Sequence, residues 1–291
     1  MGPFTTFFAP RSVEEAVRIL GDEASGACVL AGGTDVMVRA RRGLVPARCS
    51  TLVSLGRIET MRGCRRDGEE LVIGAATTAA DLTRDPVVAG SAPILARVAA
   101  RLASQQIRNV ATVGGNLVNA SPAGDLIIPL LLLDARLLLA SATGTRTVPV
   151  RDFFTAPGKT VMRPEELLVE VRFEAPPPQR LYRFEKAGRR PAMECAVVSL
   201  GLAFTPVEGR LTALRVAFGS LAPTPLRGLR TEAALEGQVP DREVIERAVR
   251  VAEDEVKPIS DIRGSEAYRR ALAGLFLRRL LHDGHSLHAE R

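Results

Sequence analysis

Apolar and polar positions along the chain follow two rhythms, one helical and one extended. Val13, Ala16, Val17 and Leu20 recur at helical spacing behind Ser12 and Glu15, a capping-box pair, so a helix is expected from residue 13 to Gly21. Residues 28–31 form a short apolar strand that runs into Gly32-Gly33-Thr34-Asp35. Residues 36–42 read as a helix closed by Gly43, and residues 51–55 and 71–75 as the next strands. Thr77 or Thr78 can cap a turn through Leu82, and Ile94, Leu95, Val98 and Leu102 mark a helix. Residues 112–116 read as a second glycine loop, followed by Ala120-Ser121-Pro122-Ala123-Gly124-Asp125, a helix near 126–134 and a strand over 137–140.

The pattern changes after Ala175-Pro176-Pro177-Pro178, because consecutive prolines continue neither a helix nor a central strand. Beyond it, residues 182–185, 196–204 and 214–218 read as strands, with Leu214, Val216 and Phe218 alternating against Arg215 and Ala217. Helices are expected near 226–235, 241–256 and 265–281. Two mixed units result, joined near residue 178.

Length and composition fit this division. A chain of 291 residues suggests about two domains, and 46% hydrophobic against 25% charged residues supports a buried core rather than disorder. Lys and Arg number 39 and Asp and Glu 33, leaving +6, but the excess is spread thinly and there is no Trp and only 2 Tyr for base stacking. A solvated, mildly basic surface is the expectation, with no nucleic-acid partner. The most apolar run, 126–140, is broken by Pro129, Asp134 and Arg136, short of the roughly 20 residues a membrane span needs. The N-terminus shows no signal-peptide pattern, so a soluble cytoplasmic protein is expected.

The histidine and cysteine census excludes several chemistries. The only histidines are His282, His285 and His288, so no Ser-His-Asp or Cys-His centre and no buried His-ligated zinc can form before residue 282. The terminal His-x-x-His-x-x-His is interrupted by Gly284 and reads as a solvated tail, not a metal site. Cys28, Cys49, Cys64 and Cys195 make no metal or iron–sulfur spacing and read as idle thiols. No catalytic residue is expected.

What remains is a pair of glycine segments. Gly32-Gly33 and Gly114-Gly115 each follow an apolar segment and carry a threonine, Thr34 or Thr112. Glycine permits positive φ and close backbone approach, so successive N–H groups can form an anion-binding nest. Two such loops would suit a pyrophosphate, while Asp35 and Asp125 would repel phosphate and suit ribityl or ribose hydroxyls. The Rossmann pattern is absent. Gly158-Lys159-Thr160 fails as a P-loop because Phe153 stands where the first glycine belongs.

Ala31-Gly32-Gly33-Thr34-Asp35 and Ala111-Thr112-Val113-Gly114-Gly115-Asn116, with Ala120-Ser121-Pro122-x-x-Asp125, resemble the FAD-binding medium subunit of molybdenum hydroxylases of the xanthine and carbon monoxide dehydrogenase types. Lys186-Ala187-Gly188-Arg189-Arg190-Pro191-Ala192-Met193 resembles that family's Lys-x-x-x-Arg-x-Ala-Met stretch, and residues 217–225 and 259–265 its C-terminal signatures. Some relatives carry an inserted four-cysteine cluster, for which the cysteines here are too scattered.

The resemblance implies an α+β fold. Residues 1–177 would form a vanillyl-alcohol-oxidase-like (PCMH-type) FAD-binding domain, with subdomains about 1–56 and 57–177. Residues 178–291 would form a C-terminal domain of a three-stranded antiparallel sheet and helices. It implies that Val29, Leu30, Ala31, Gly32, Gly33, Thr34, Asp35 and Val36, with Thr112, Val113, Gly114, Gly115 and Asn116, line the pyrophosphate and ribityl of a non-covalent FAD. Asp125 would bind a cofactor hydroxyl, Leu102 and Leu168 would contact the flavin or adenine, and Lys186 would approach the flavin. It implies partners: a large subunit with the molybdenum cofactor and a small subunit with [2Fe-2S] clusters, in a dimer of heterotrimers that passes electrons through FAD to an acceptor such as NAD. The alternatives are a stand-alone FAD-dependent oxidoreductase of the same fold, against which the C-terminal signatures speak, and a flavin-free assembly subunit, against which the intact glycine segments speak.

Overall fold

The computed structural model describes residues 3–22, 26–189 and 195–282. Arg190, Pro191, Ala192 and Met193 of the lysine-to-methionine stretch, and His285 and His288 of the tail, lie outside the described residues.

Three parallel strands open the chain: β1 (Thr6–Phe8), β2 (Ala27–Leu30) and β3 (Thr51–Ser54), in the order β1-β3-β2. Parallel pairing needs crossovers, and α1 (Val13–Asp22) and α2 (Val36–Arg41) provide them. The Ser12 hydroxyl accepts the Glu15 N–H at 3.1 Å, while the Glu15 carboxylate takes the Arg11 N–H at 2.8 Å, one residue earlier than in a standard capping box. Ala16, Val17 and Leu20 are buried as their spacing predicts.

A second, antiparallel sheet holds β4 (Cys64–Asp67), β5 (Glu70–Gly74), β6 (Arg136–Ser141), β7 (Gly144–Pro149) and β10 (Leu167–Glu174), in the order β4-β5-β10-β6-β7. A small hairpin, β8 (Phe154–Ala156) and β9 (Lys159–Thr160), precedes the central strand β10. The sequence reading missed β10, and the reason is physical. Its register shifts between Leu168 and Glu170, so Leu167 and Leu168 are both buried and the alternation breaks. Glu170 is also buried, paired with Arg65 at 2.5 Å and Arg172 at 2.7 Å, and so reads as a surface residue although it is not one.

Six short helices fill the connection from β5 to β6: α3 (Ala79–Leu82), α4 (Pro86–Ser91), α5 (Pro93–Ala100), α6 (Gln105–Arg108), α7 (Val113–Val118) and α8 (Ile127–Leu132). Every residue of α8 is buried, as an all-apolar helix requires. It packs against the third sheet, where Ile128 sits over Gly201 and Gly219; a Cβ at those glycines would meet its side chain at 2.7 and 3.1 Å. Full burial of each of its leucines and isoleucines contributes roughly 1.5–3 kcal/mol.

The third sheet runs β11 (Leu181–Ala187), β12 (Val198–Val207), β13 (Arg210–Gly219) and β14 (Leu226–Arg227), all antiparallel. The three expected strands are the long ones, and a two-residue edge strand joins them where the sequence suggested the start of a helix. That helix, α9, spans Leu229–Leu235 and is followed by α10 (Arg242–Glu255) and α11 (Glu266–His282). One apolar core lies among the first two sheets and their helices and reaches Tyr182, Ala203 and Ala217; a second lies beneath α9–α11. No helix among the described residues is long and apolar enough to cross a membrane.

Candidate functional site: a cleft built on the first glycine pair

A cleft of about 420 Å³ opens between the end of β2, the start of α7 and the segment leading into β10. Val29, Ala31, Gly32, Gly33, Thr34, Asp35, Val36, Thr112, Gly114, Gly115, Asn116 and Leu168 line it. Two stretches far apart in sequence are thus brought to one surface. Gly32 is the joint: a Cβ there would overlap the Val110 carbonyl, so the two stretches close on each other only with glycine at this position. Gly33 turns the chain at φ +73°.

The remaining expected residues lie elsewhere. Leu30 sits beneath the loop, with its Cδ1 3.2 Å from where a Gly33 Cβ would stand. Val113 and Leu102 are in the core, 1% and 7% exposed, and do not face the cleft. Asp125 and Lys186 form a buried ion pair of 2.5 Å outside the cleft lining.

The two glycine segments are not equivalent. Residues 112–116 are not a loop: Thr112 is the N-cap of α7, and its hydroxyl accepts the Gly115 N–H at 3.0 Å. Neither Gly114 nor Gly115 has positive φ, contrary to expectation. Gly114 is needed for close packing, since a Cβ would lie 2.8 Å from the Ala75 carbonyl oxygen. The N–H groups here are already used: Val113 donates to Thr77, Gly114 to Ala75 and Asn116 to Thr112 backbone oxygens, at 2.9, 2.8 and 3.0 Å. This segment forms a wall and supplies no open anion nest.

The first segment has the opposite character. Among the described residues, no protein acceptor meets the backbone N–H groups of Gly32, Gly33, Thr34, Asp35 or Val36. Five successive donors with a left-handed glycine among them fit the phosphate groups of a bound dinucleotide. Arg39 and Arg163 add positive charge along the same cleft. One orphaned acceptor lies in the cleft lining and a second outside it. The side-chain oxygen of Asn116 and Oδ1 of Asp125 are buried without a donor among the described residues, and the Asn116 oxygen lies 3.2 Å from the Cβ position of Gly124. Acceptors without donors suit hydroxyl groups. Burial pushes the Asp125 carboxyl above its ordinary value, opposed by Lys186.

Arg39, Asn119, Met162, Arg163, Pro164 and Glu166 also line the cleft and were not foreseen. Four of these lie in the segment before β10, and recognising that strand would have exposed them. Glu166 organises the segment: it accepts two bonds from Arg146, at 2.6 and 2.8 Å, and the Arg163 N–H at 2.7 Å. The Arg146 bonds hold its carboxyl below the ordinary value. The stability this pair contributes is complete above the ordinary Glu value and is lost as pH falls through the lower folded one. Glu166→Gln is therefore expected to weaken flavin retention at pH 7, with the gap to wild type closing as pH drops below about 4. Flavin retention after gel filtration across pH checks this, and an identical gap at every pH would refute it.

Burial, aided by a bond to Cys49, pushes the Cys28 thiol at the cleft up to about 12, so it stays protonated at neutral pH.

A row of backbone donors without protein acceptors among the described residues, beside the Asn116 oxygen and in an α+β frame, suits a dinucleotide cofactor. Residues 3–176 match the family described as FAD binding domain in molybdopterin dehydrogenase, and residues 182–283 the CO dehydrogenase flavoprotein C-terminal domain. The carbon monoxide dehydrogenase medium chain of Hydrogenophaga pseudoflava is 32% identical, with 96% of each chain covered. A putative xanthine dehydrogenase FAD-binding subunit of Escherichia coli (strain K12) is 31% identical, with 97% of each covered. Among solved structures, the H. pseudoflava carbon monoxide dehydrogenase lacking the Mo-pyranopterin moiety superposes with a TM-score of 0.92 at 32% identity over 96% of both chains. Quinoline 2-oxidoreductase from Pseudomonas putida 86 gives 0.90 at 29% identity over 97% of both. This chain belongs to that family: it is an FAD-binding subunit of the molybdenum hydroxylase type, an oxidoreductase subunit.

Proposed function

We propose that this chain is the electron-relay subunit of a three-subunit molybdenum hydroxylase. In this reading a large chain carries the molybdenum cofactor and a small chain carries [2Fe-2S] clusters. The heterotrimer is doubled in a cytoplasmic assembly, and the electrons pass to an acceptor such as NAD. Bound FAD supplies the redox chemistry by taking up electrons and passing them on. The chain's own residues position it. The observation that carries the reading is the row of five N–H groups at residues 32–36 with no protein acceptor among the described residues. Those groups would hold the pyrophosphate, and the unpaired oxygens of Asn116 and Asp125 would take hydroxyls. Residues 1–177 would form the flavin domain, divided near residue 56, and residues 178–291 the second.

Exposed Val29, Met37, Val38, Val110 and Val118 flank the cleft and its two segments, and a covering partner chain accounts for that apolar surface. The relatives named above act in enzymes for carbon monoxide, xanthine and quinoline, so the choice of organic substrate would reside on another subunit.

The purified chain should carry about one FAD, released to the supernatant by acid precipitation, because among the described residues no histidine lines the cleft for a covalent bond. Dithionite should bleach it, while no purine, aldehyde or carbon monoxide is turned over by the chain alone. Co-expression with neighbouring genes should yield one larger particle on gel filtration. A colourless chain that ignores added FAD would refute the site, and organic turnover by the isolated chain near 1 per second or more would favour the stand-alone enzyme.

A further inference from the structure

A second pocket, of about 330 Å³, lies at the junction of the second and third sheets, under the proline linker. Four arginines line it, Arg136, Arg151, Arg180 and Arg215, against two carboxylates, Asp134 and Glu174. They come from separate elements: the start of β6, the turn after β7, the residue before β11, and the middle of β13.

Arg136, Arg151 and Arg215 each have a carboxylate partner, Arg151 also meeting Asp152 at 3.6 Å; among the described residues Arg180 is the exception. Arg136 is paired with Glu70. Asp134, held at φ +55° just beyond α8, is shared among Arg215 at 3.5 Å, Arg227 at 3.7 Å and Arg151 at 4.0 Å. Arg180 has no carboxylate partner among the described residues. Its Nη2 donates to the Ala213 carbonyl at 2.8 Å, its guanidinium lies 5.9 Å from the Tyr182 ring, and its Nε is buried with no acceptor. Arg215 is partly desolvated beside it; burial and the charge of Arg180 push its guanidinium below the ordinary value. Two neighbouring guanidinium groups in a concave site, one of them without a carboxylate partner among the described residues, suit an anion.

The walls narrow the choice. Leu133, Pro149, Pro176 and Pro177 are apolar, and the prolines offer no N–H. Recognition therefore falls on the guanidinium forks, which match the oxygens of a phosphate in pairs. The space exceeds what one phosphate fills, and the rigid wall can cover a small body attached to it.

We propose that this pocket binds the phosphate group of a small phosphorylated molecule, at a site separate from the flavin cleft. No residue lining the pocket also lines the cleft.

The test uses the full chain loaded with FAD, so that the cleft is occupied. Inorganic phosphate and ribose 5-phosphate are titrated by calorimetry at constant ionic strength, with flavin fluorescence reporting any release of cofactor. Saturable binding without flavin release is expected, weakened about tenfold or more in Arg180→Gln and in Arg151→Gln and unchanged in Arg84→Gln. Arg151 is 54% exposed, so that variant keeps the test valid even where Arg180→Gln disturbs folding. Tighter binding of the sugar phosphate identifies an ester as the ligand, and equal binding identifies free phosphate. The proposal is overturned by the absence of saturable binding, by heats that chloride reproduces, or by equal affinity in all three variants.

Discussion

Gly32→Val is expected to strip the protein of flavin, leaving less than about a tenth of wild-type occupancy. The argument rests on what surrounds the missing side chain. A Cβ at residue 32 would overlap the carbonyl oxygen and carbon of Val110, and both belong to backbone that no rotamer change can move. The segment 31–36 would have to lift away from 110–111. The five N–H groups of residues 32–36 would move with it, and the donor row would lose its geometry. Gly115→Ala is the contrasting case. Its only close neighbour is the Thr112 hydroxyl at 2.8 Å, on a side chain that can rotate, and its φ is ordinary. The cost should be no more than the N-cap bond, about 1 kcal/mol, with most flavin kept. The ratio of flavin to protein absorbance, together with thermal melts of both variants, measures the difference. Wild-type flavin content in Gly32→Val would show that the close approach is dispensable.

The two glycine pairs also show what the sequence can and cannot carry. Both stood out by composition, and both reach the same cleft. Their roles differ because the acceptors that use the N–H groups of 113 and 114 come from Ala75 and Thr77, some forty residues away, and no local pattern announces them. The long helix α10 was legible from its periodicity, with Val244, Ile245, Ala248, Val249 and Ala252 buried on one face, and β12 from its continuous apolar run, which is buried throughout residues 198–204 because α8 and α11 both pack on it. Strand β10 was not, because a bulge and a buried, paired Glu170 erase its alternation. The segment before it, with Arg163 and Glu166, was hidden for the same reason. Leu102, implied by the resemblance as a flavin or adenine contact, sits in the core beside α5 and outside the cleft lining.

The Asp125–Lys186 pair should prove to be as much a fastener as a ligand. Asp125 precedes α8 in the first core and Lys186 lies on β11 of the third sheet, so one bond of 2.5 Å crosses between the two units. Each side chain is 8% exposed. Removing one partner leaves the other charge buried and alone, which costs about 3–5 kcal/mol, whereas removing both leaves no such charge. Lys186→Met and Asp125→Asn should therefore each lower the melting temperature by many degrees, and the double variant by less than the sum. The pH dependence has a definite sign. Burial raises the Asp125 carboxyl above 3.8 in the folded chain, so the native state holds that proton more tightly than the unfolded one. Stability from this group therefore increases as pH falls through the raised value, and levels off below 3.8. Without Lys186 nothing offsets burial as strongly, and the window widens upward. Lys186→Met should accordingly be closer to wild type at pH 5 than at pH 8, while the double variant, with no carboxylate to titrate, should show no such recovery. Flavin content adds the second half of the argument. Asp125 Oδ1 has no donor among the described residues, so Asp125→Ala in the Lys186→Met background should lose flavin even at pH and temperature where it remains folded. A folded double variant with full flavin occupancy would leave the pair a purely structural clasp.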